Sequence, residues 1–350
     1  MRIAEVAFPV PLAKGFHYLV PEGFPAVAGL RVRAPFGPRR LTGVILSVFE
    51  GEPHRPLKSL ESTWDARPAL SAEGVACARF MARRFGAPIG EAIKALLPPY
   101  VKSLDEIVDV PVPTALPPRP ATFELTAGQS GALARLESLL DARLHARALI
   151  FGVPASGKTE VYLRLIRRAV ADGGQALFLL PEISLTRPFF DEFAASLSVP
   201  VALWHSGLTL RERRRTWLAI SRGAVKVVVG ARSACLLPFS DLRLAVLDEE
   251  QDESFKQDSN SPFYHAREVP LNGPRRSALW RCWGLRRLRS RLGTWRGAVR
   301  PSFWRCPIAW RPARGRRCGP CPRPVSEKFS RKSWSTRSKT ACDAASSRSF

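Results

Sequence analysis

Two apolar stretches lie near the amino terminus, Leu30-Arg31-Val32-Arg33-Ala34, in which apolar and polar positions alternate with a period of two, and Val44-Ile45-Leu46-Ser47-Val48. Between them lies the turn-rich Pro35-Phe36-Gly37-Pro38. This pattern predicts paired strands, so residues 1–65 read as a small β-rich domain. From Ser71 to Lys102 the period becomes helical. Val75, Ala78, Ala82 and Phe85 share one face, Gly86-Ala87-Pro88 breaks the helix, and Ile89, Ile93, Leu96 and Leu97 line a second helix. Short paired helices suit a winged-helix-like module over residues 66–110, and an ordinary helical hairpin fits the periodicity equally well.

Five prolines between Pro111 and Pro120 stiffen the chain and cannot continue a helix or enter a sheet interior, which predicts an interdomain linker at 111–120. Beyond it, apolar strand patterns at 148–151, 176–180, 201–203, 225–229 and 244–247 alternate with helical patterns from Thr159 and over 211–221. Continuous apolar strands separated by helices predict an α/β lobe, a parallel sheet covered on both faces, over residues 121–269. No solenoid-like internal repeat accompanies it.

Charge divides the chain again. Of 54 basic and 30 acidic residues, the segment 271–350 holds 21 basic and 2 acidic, together with six of nine Trp and five of seven Cys. The first 270 residues keep 33 basic and 28 acidic, a modest excess of +5 that favours nucleotides or nucleic acid without requiring either. No uncharged apolar run is long enough to cross a membrane, and MRIAEVAFPVPLAKG lacks the order of a secretory signal. With only Cys77 and Cys235 before residue 271, a disulfide framework is not expected, and a cytosolic location is.

The chemistry concentrates at Gly152-Val153-Pro154-Ala155-Ser156-Gly157-Lys158-Thr159, a G-x-x-x-x-G-K-T loop between an apolar strand and a helical pattern. Its glycines let backbone N–H groups wrap a polyphosphate at a helix N-terminus. Lys158 is expected to reach the terminal phosphates and the Thr159 hydroxyl to ligate Mg²⁺, which makes ATP and Mg²⁺ the expected cofactors. Downstream, Leu244-Ala245-Val246-Leu247 ends in Asp248-Glu249-Glu250. Asp248 can hold the magnesium shell, and Glu249 can orient an attacking water. Three further loops, Pro181–Thr186, Trp204–Leu208 and Gly230–Ala234, follow successive strands at the edge where open α/β sheets collect ligands. Hydroxyls, free N–H groups and Arg232 there suit the phosphates of a nucleic acid strand. His205 alone reads better as a structural histidine.

The segments GVPASGKTEVYL, LLPEISLT, HSGL, VGARSA, VLDEEQDESFKQ and YHARE resemble the bacterial primosomal replication-restart helicase family, superfamily 2 DNA helicases with a RecA-like P-loop lobe. AFPVPLAKGFHYLVPEG and RVRAPFG resemble that family's 3′-end DNA-binding domain, and residues 71–102 its winged helix. The resemblance implies an ATP-dependent 3′→5′ helicase acting on forked or branched DNA with a 3′ end, alongside primosomal and single-stranded-DNA-binding proteins. It also implies roles for single residues. Gln129, in FELTAGQ, reads adenine, although Thr126 is equally a plain helix cap. Phe16, His17, Tyr18 and Gly37 form a 3′-end pocket, Arg232 contacts DNA phosphate, and Phe255, Lys256 and Tyr264 belong to an aromatic-rich loop coupling single-stranded DNA to ATP. His17 stands where the family often has Asp, and Gln251 where it usually has His.

After Val269 the resemblance stops. Residues 270–350 read as a disordered basic tail translated out of frame, able to hold nucleic acid only without specificity. Synonymous codons for Gly284–Gly293 can be chosen so that the frame displaced by two nucleotides spells Gly-Ser-Ala-Thr-Pro, then Pro or Ser, then Leu-Glu-Thr-Trp, the family's next motif. Cys318 and Cys321 form an accidental C-x-x-C on this reading, since the family's zinc-binding cluster has more cysteines and lies further on. Without a second lobe, weak ATP binding and no unwinding are expected. A branched-DNA-binding module without turnover and a P-loop kinase remain the alternatives.

Overall fold

The computed structural model describes residues 1–98, 124–143, 147–152, 156–272, 278–284 and 305–307. The proline-rich segment, Cys318, Cys321 and most of the basic tail lie outside the described residues.

Five antiparallel strands form the first sheet: β1 (Arg2–Ala7), β2 (Phe16–Leu19), β3 (Arg31–Phe36), β4 (Arg39–Glu50) and β5 (Ser62–Thr63), in the order β2-β1-β4-β3-β5. The predicted turn at Pro35–Pro38 is the β3–β4 hairpin, with Gly37 in the left-handed region at φ +58°. One face of the sheet buries Ala4, Val6, Tyr18, Val32, Ala34 and Ile45. Ala7, Val44 and Leu46 face the helical side. There α1 (Ala72–Phe85) contributes Val75, Cys77, Ala78 and Met81, and α2 (Ile89–Leu96) contributes Ile89, Ala92, Ile93 and Leu96. Ser71 caps α1 through its side chain, and Gly86 ends it at φ +67°, a conformation that glycine adopts without strain. The fully buried ion pair Arg31–Asp65 fixes the chain after β5, with two bonds of 2.6 and 2.5 Å.

The second sheet is parallel, in the order β14-β6-β13-β10-β7-β9-β8. Its strands are β6 (Arg147–Gly152), β7 (Gln175–Leu179), β8 (Val201–Trp204), β9 (Val227–Gly230), β10 (Leu242–Leu247), β13 (Ala278–Gly284) and β14 (Arg305–Pro307). Between them run α3 (Ala127–Asp141), α4 (Lys158–Ala171), α5 (Arg187–Ala195), α6 (Leu210–Ser221) and the short α7 (Glu268–Asn272). A two-stranded ribbon, β11 (Lys256–Gln257) with β12 (Tyr264–His265), stands apart from both sheets. One apolar cluster packs α3, α4 and α5 on the sheet, while another packs α6 and the 234–239 segment on its other face, as expected for parallel strands. This is the covered parallel sheet the strand pattern predicts and the RecA-like lobe the resemblance implies. Within the expected disordered tail, 278–284 and 305–307 are strands of this sheet.

Candidate nucleotide and DNA site

The expected phosphate loop sits between β6 and α4. Gly157 precedes the helix at φ +76° and, as a glycine, offers the helix no side-chain cap. The Ser156 hydroxyl is buried and makes no hydrogen bond, an orphan polar group at the mouth of a helix N-terminus. Such donors suit an anion. Lys158 is half-buried and Thr159 exposed. Gly152 ends β6.

Two strands away, the end of β10 delivers Asp248. Its N–H donates to the Leu179 carbonyl at 3.0 Å, which locks the turn to β7. Burial pushes the Asp248 carboxyl above the ordinary range, the Lys158 ammonium pulls it back, and Glu249 pushes it up further. The loop's lysine and the strand's acid thus lie close enough for their charges to interact. Tyr162, one helical turn after Lys158, donates its hydroxyl to Asp248 at 3.5 Å. Glu249 is exposed and held at φ +50°, a backbone conformation that side chains rarely adopt, and such strain clusters at functional sites. Glu250 turns inward and is 2% exposed. The residues present fit a magnesium-bound triphosphate, with Lys158, Thr159 and Asp248 as the groups that would hold it. When bound, it would supply a phosphoanhydride for hydrolysis.

Gln129, expected to read adenine, lies against the phosphate loop. Its Oε1 accepts from the Thr126 N–H and its Nε2 donates to the Ser156 carbonyl, both at 2.8 Å, within a full capping box at the start of α3. A Cβ on Gly157 would lie 2.4 Å from that Nε2, so Gln129 braces the phosphate loop from behind. The cap reading of Thr126 is what the structure shows.

The expected DNA contacts divide. Phe16 is 37% exposed and meets Phe36 edge-on at 5.3 Å beside the Gly37 turn. Tyr18 is buried, its hydroxyl donating to the Pro35 carbonyl at 2.8 Å. His17 points to the opposite face of β2, against Phe49 at 5.5 Å, because neighbouring strand residues alternate sides. The four residues therefore do not line one pocket. Arg232 donates to the Ser254 and Lys256 carbonyls, at 3.1 and 2.5 Å, and so holds the loop before β11. Phe255 is fully buried and Tyr264 is 7% exposed, its phenol pushed up by burial, so neither ring offers a face to a base. Apolar packing took them. Lys256 is exposed, and so is Phe263, which the sequence did not single out. At the sheet edge the Ser206 hydroxyl donates to Glu182, and Arg213 donates to the Ser206 carbonyl. His205 accepts from the Gly207 N–H at 3.0 Å, a local turn bond as expected of a structural histidine.

Comparison with known proteins now adds a family. The profile of the PriA 3′DNA-binding domain (3′BD) matches residues 5–98, and that of the DEAD/DEAH box helicase matches residues 133–270. The replication restart protein PriA of Treponema pallidum (strain Nichols) is 32% identical over 275 residues, 76% of this chain and 41% of that protein. This chain belongs to the PriA family. PriA of Rickettsia conorii (strain ATCC VR-613 / Malish 7) is 30% identical over 274 residues, 77% of this chain and 40% of that protein. PriA of Bacillus subtilis (strain 168) is 38% identical over 170 residues, 49% of this chain and 21% of that one. The chain thus spans about two fifths of the length of the first two PriA relatives.

Among the described residues, no group of three or more His, Cys, Asp or Glu side chains could hold a metal ion, and no helix is long and apolar enough to cross a membrane. Cys77 and Cys235 are buried and form no disulfide. Tyr162, Ser156 and Glu250 escaped the sequence reading. Tyr162 carried a signal in its i+4 spacing from Lys158, whereas the burial of Glu250 beside an exposed Glu249 carried none.

Proposed function

We propose that this chain carries the DNA-end-binding domain and the ATP-binding first motor lobe of a PriA-type 3′→5′ DNA helicase, which restarts replication at stalled forks in the cytoplasm. The observation that carries this reading is that α4, which opens with Lys158 and Thr159, reaches Asp248 at the end of β10 through the Tyr162 hydroxyl at 3.5 Å, in a chain that also matches a 3′-end DNA-binding domain. Binding energy comes from the helix N-terminus, Lys158 and the Ser156 hydroxyl, and Glu249 orients water over the terminal phosphate. Primosomal and single-stranded-DNA-binding proteins are its proposed partners by family, and forked DNA with a free 3′ end its substrate.

The residues from about 270 onward are, on this proposal, translated out of frame. The helicase profile ends at residue 270, where the composition changes. Strand β13 lies between β6 and β10, where both sheet faces are covered and an apolar run is required, yet its sequence places Arg281 mid-strand. In the frame displaced by two nucleotides, the codons from Leu279 to Gly284 give Leu, Val or Met, then Ala if Arg281 is a CGN codon, then Leu, Val or Met, then Leu and Gly. That is an apolar strand. Its glycine falls where β13 pairs Gly284 with Gly152, and Ser-Ala-Thr-Pro can follow at once. Sequencing the locus tests this: the displaced frame is expected to continue as helicase, and a displaced frame interrupted by stop codons or without helicase sequence would overturn it.

Function is tested by titrating the purified chain with forked DNA bearing a free or a blocked 3′ end, with and without ATP. Preference for the free end together with nucleotide binding is expected. A chain that binds nucleotide and ignores DNA is a kinase-like protein, and one that binds DNA and ignores nucleotide is a binding module; either result refutes the proposal.

A further inference from the structure

A chain of alternating charges runs from the acids after β10 to the amino-terminal domain. Glu250, third of the Asp248-Glu249-Glu250 run, is 2% exposed, and its carboxylate accepts from Arg267 at 2.5 Å. An inward-facing carboxylate beside two others is costly unless paired. Arg267 also faces Glu268 at 3.6 Å, and Glu268 faces Arg84 at 3.7 Å. Arg84 lies in the last turn of α1, in the domain that matches the 3′-end binder. Glu250, Arg267, Glu268 and Arg84 therefore form a − + − + series linking the DNA-binding domain to the acidic turn.

The series has slack in one place. Arg267 Nε is buried and makes no hydrogen bond, and the Glu268 carboxylate lies just beyond bonding range of it. A shift of α7 by a few tenths of an ångström closes that bond, and α7 packs against α1. Arg267 thus sits between Glu250 and Glu268, bonded to the first and near the second, and Glu268 in turn faces Arg84 of α1.

We propose that Arg267 is a positioning residue that sets the Asp248–Glu250 turn according to how the amino-terminal domain seats on α7, so that DNA engaged by that domain is felt at the nucleotide site. The functional consequence rests on the reading of the two sites given above, whereas the mechanical link does not. Hydrogen–deuterium exchange of the full chain tests both. In the absence of ligands, Arg84→Ala and Glu268→Gln are expected to speed exchange at residues 248–252 by about threefold or more. Arg83→Ala, on an exposed neighbour in the same turn, is expected to leave it unchanged. Arg267→Lys, which keeps the charge but loses the two-sided geometry, is expected to match Arg84→Ala. Adding 3′-ended forked DNA is expected to alter exchange at 248–252 in the unsubstituted chain and not in Arg84→Ala at equal DNA occupancy. Exchange in Arg84→Ala equal to that in Arg83→Ala overturns the proposal. So does a response to DNA that survives Arg84→Ala. A chain that binds no nucleotide refutes the phosphate-loop reading alone, since the exchange comparison still decides this one.

Discussion

Asp248 shows how a single side chain can be shaped against stability. Its carboxyl is pushed up chiefly by burial, against the pull of Lys158. For an acid with a raised folded-state pKa, the stability contribution is full below the ordinary carboxylate range and is lost as pH rises through the raised value. At neutral pH the ionised Asp248 is therefore a net cost to the chain without nucleotide. Asp248→Asn is expected to raise the thermal midpoint at pH 7 and to leave it nearly unchanged near pH 3, while abolishing magnesium-dependent nucleotide binding. Paired thermal scans at the two pH values, with nucleotide titrations, check this. Residue position was legible where it depends on local spacing: Lys158 and Thr159 at the start of α4 and Asp248 just past the end of β10 follow from a loop and a strand end. It was not legible where residue type is silent about facing. Phe255 and Tyr264 are aromatic whether they stack on a base or fill a core, and the second outcome is what packing imposed. Gln129 is an amide whether it reads a base or braces a loop, and its bond to Ser156, 27 residues away, is a tertiary contact that local spacing does not announce.

At the scale of elements, the strand and helix pattern predicted the architecture because each buried face needs its own period. Each strand expected over 121–269 differs from the pattern only at its ends, whereas β13 and β14 were not expected: the pattern put one strand at 225–229, and β9 begins at Val227 because Ala224 and Val225 bond back to Ala219 in closing α6. Two tertiary devices were invisible. The Arg31–Asp65 pair spans 34 residues and is buried on both sides. Arg31→Ala leaves a carboxylate buried without its partner and is expected to cost about 3–5 kcal/mol, measurable by denaturant unfolding. Gly90 lets α2 touch the chain beyond β1, since a Cβ there would lie 1.9 Å from the Phe8 carbonyl and 2.3 Å from that of Val10. Gly90→Ala is expected to destabilise the amino-terminal domain and weaken its DNA binding, with the P-loop lobe's nucleotide affinity unchanged.

For the whole molecule, a motor of this type closes two lobes on its nucleotide, and the arginine supplied from across the cleft contributes about 10³–10⁵ in rate in related enzymes. The described residues hold one such lobe. The purified 350-residue chain is therefore expected to show no strand displacement on forked DNA, and a chain with the displaced frame restored after residue 269 is expected to gain it. The joining of Gly157, Lys158 and Asp248 into one magnesium–nucleotide site underlies all of this. Its most direct test is a titration of the chain with a fluorescent ATP analogue, with magnesium or with chelator, for the native sequence and for Lys158→Ala and Asp248→Ala. Magnesium-dependent binding that weakens by about tenfold or more in each variant, roughly 1.4 kcal/mol, is the expected result; binding that is indifferent to magnesium and to both substitutions contradicts it.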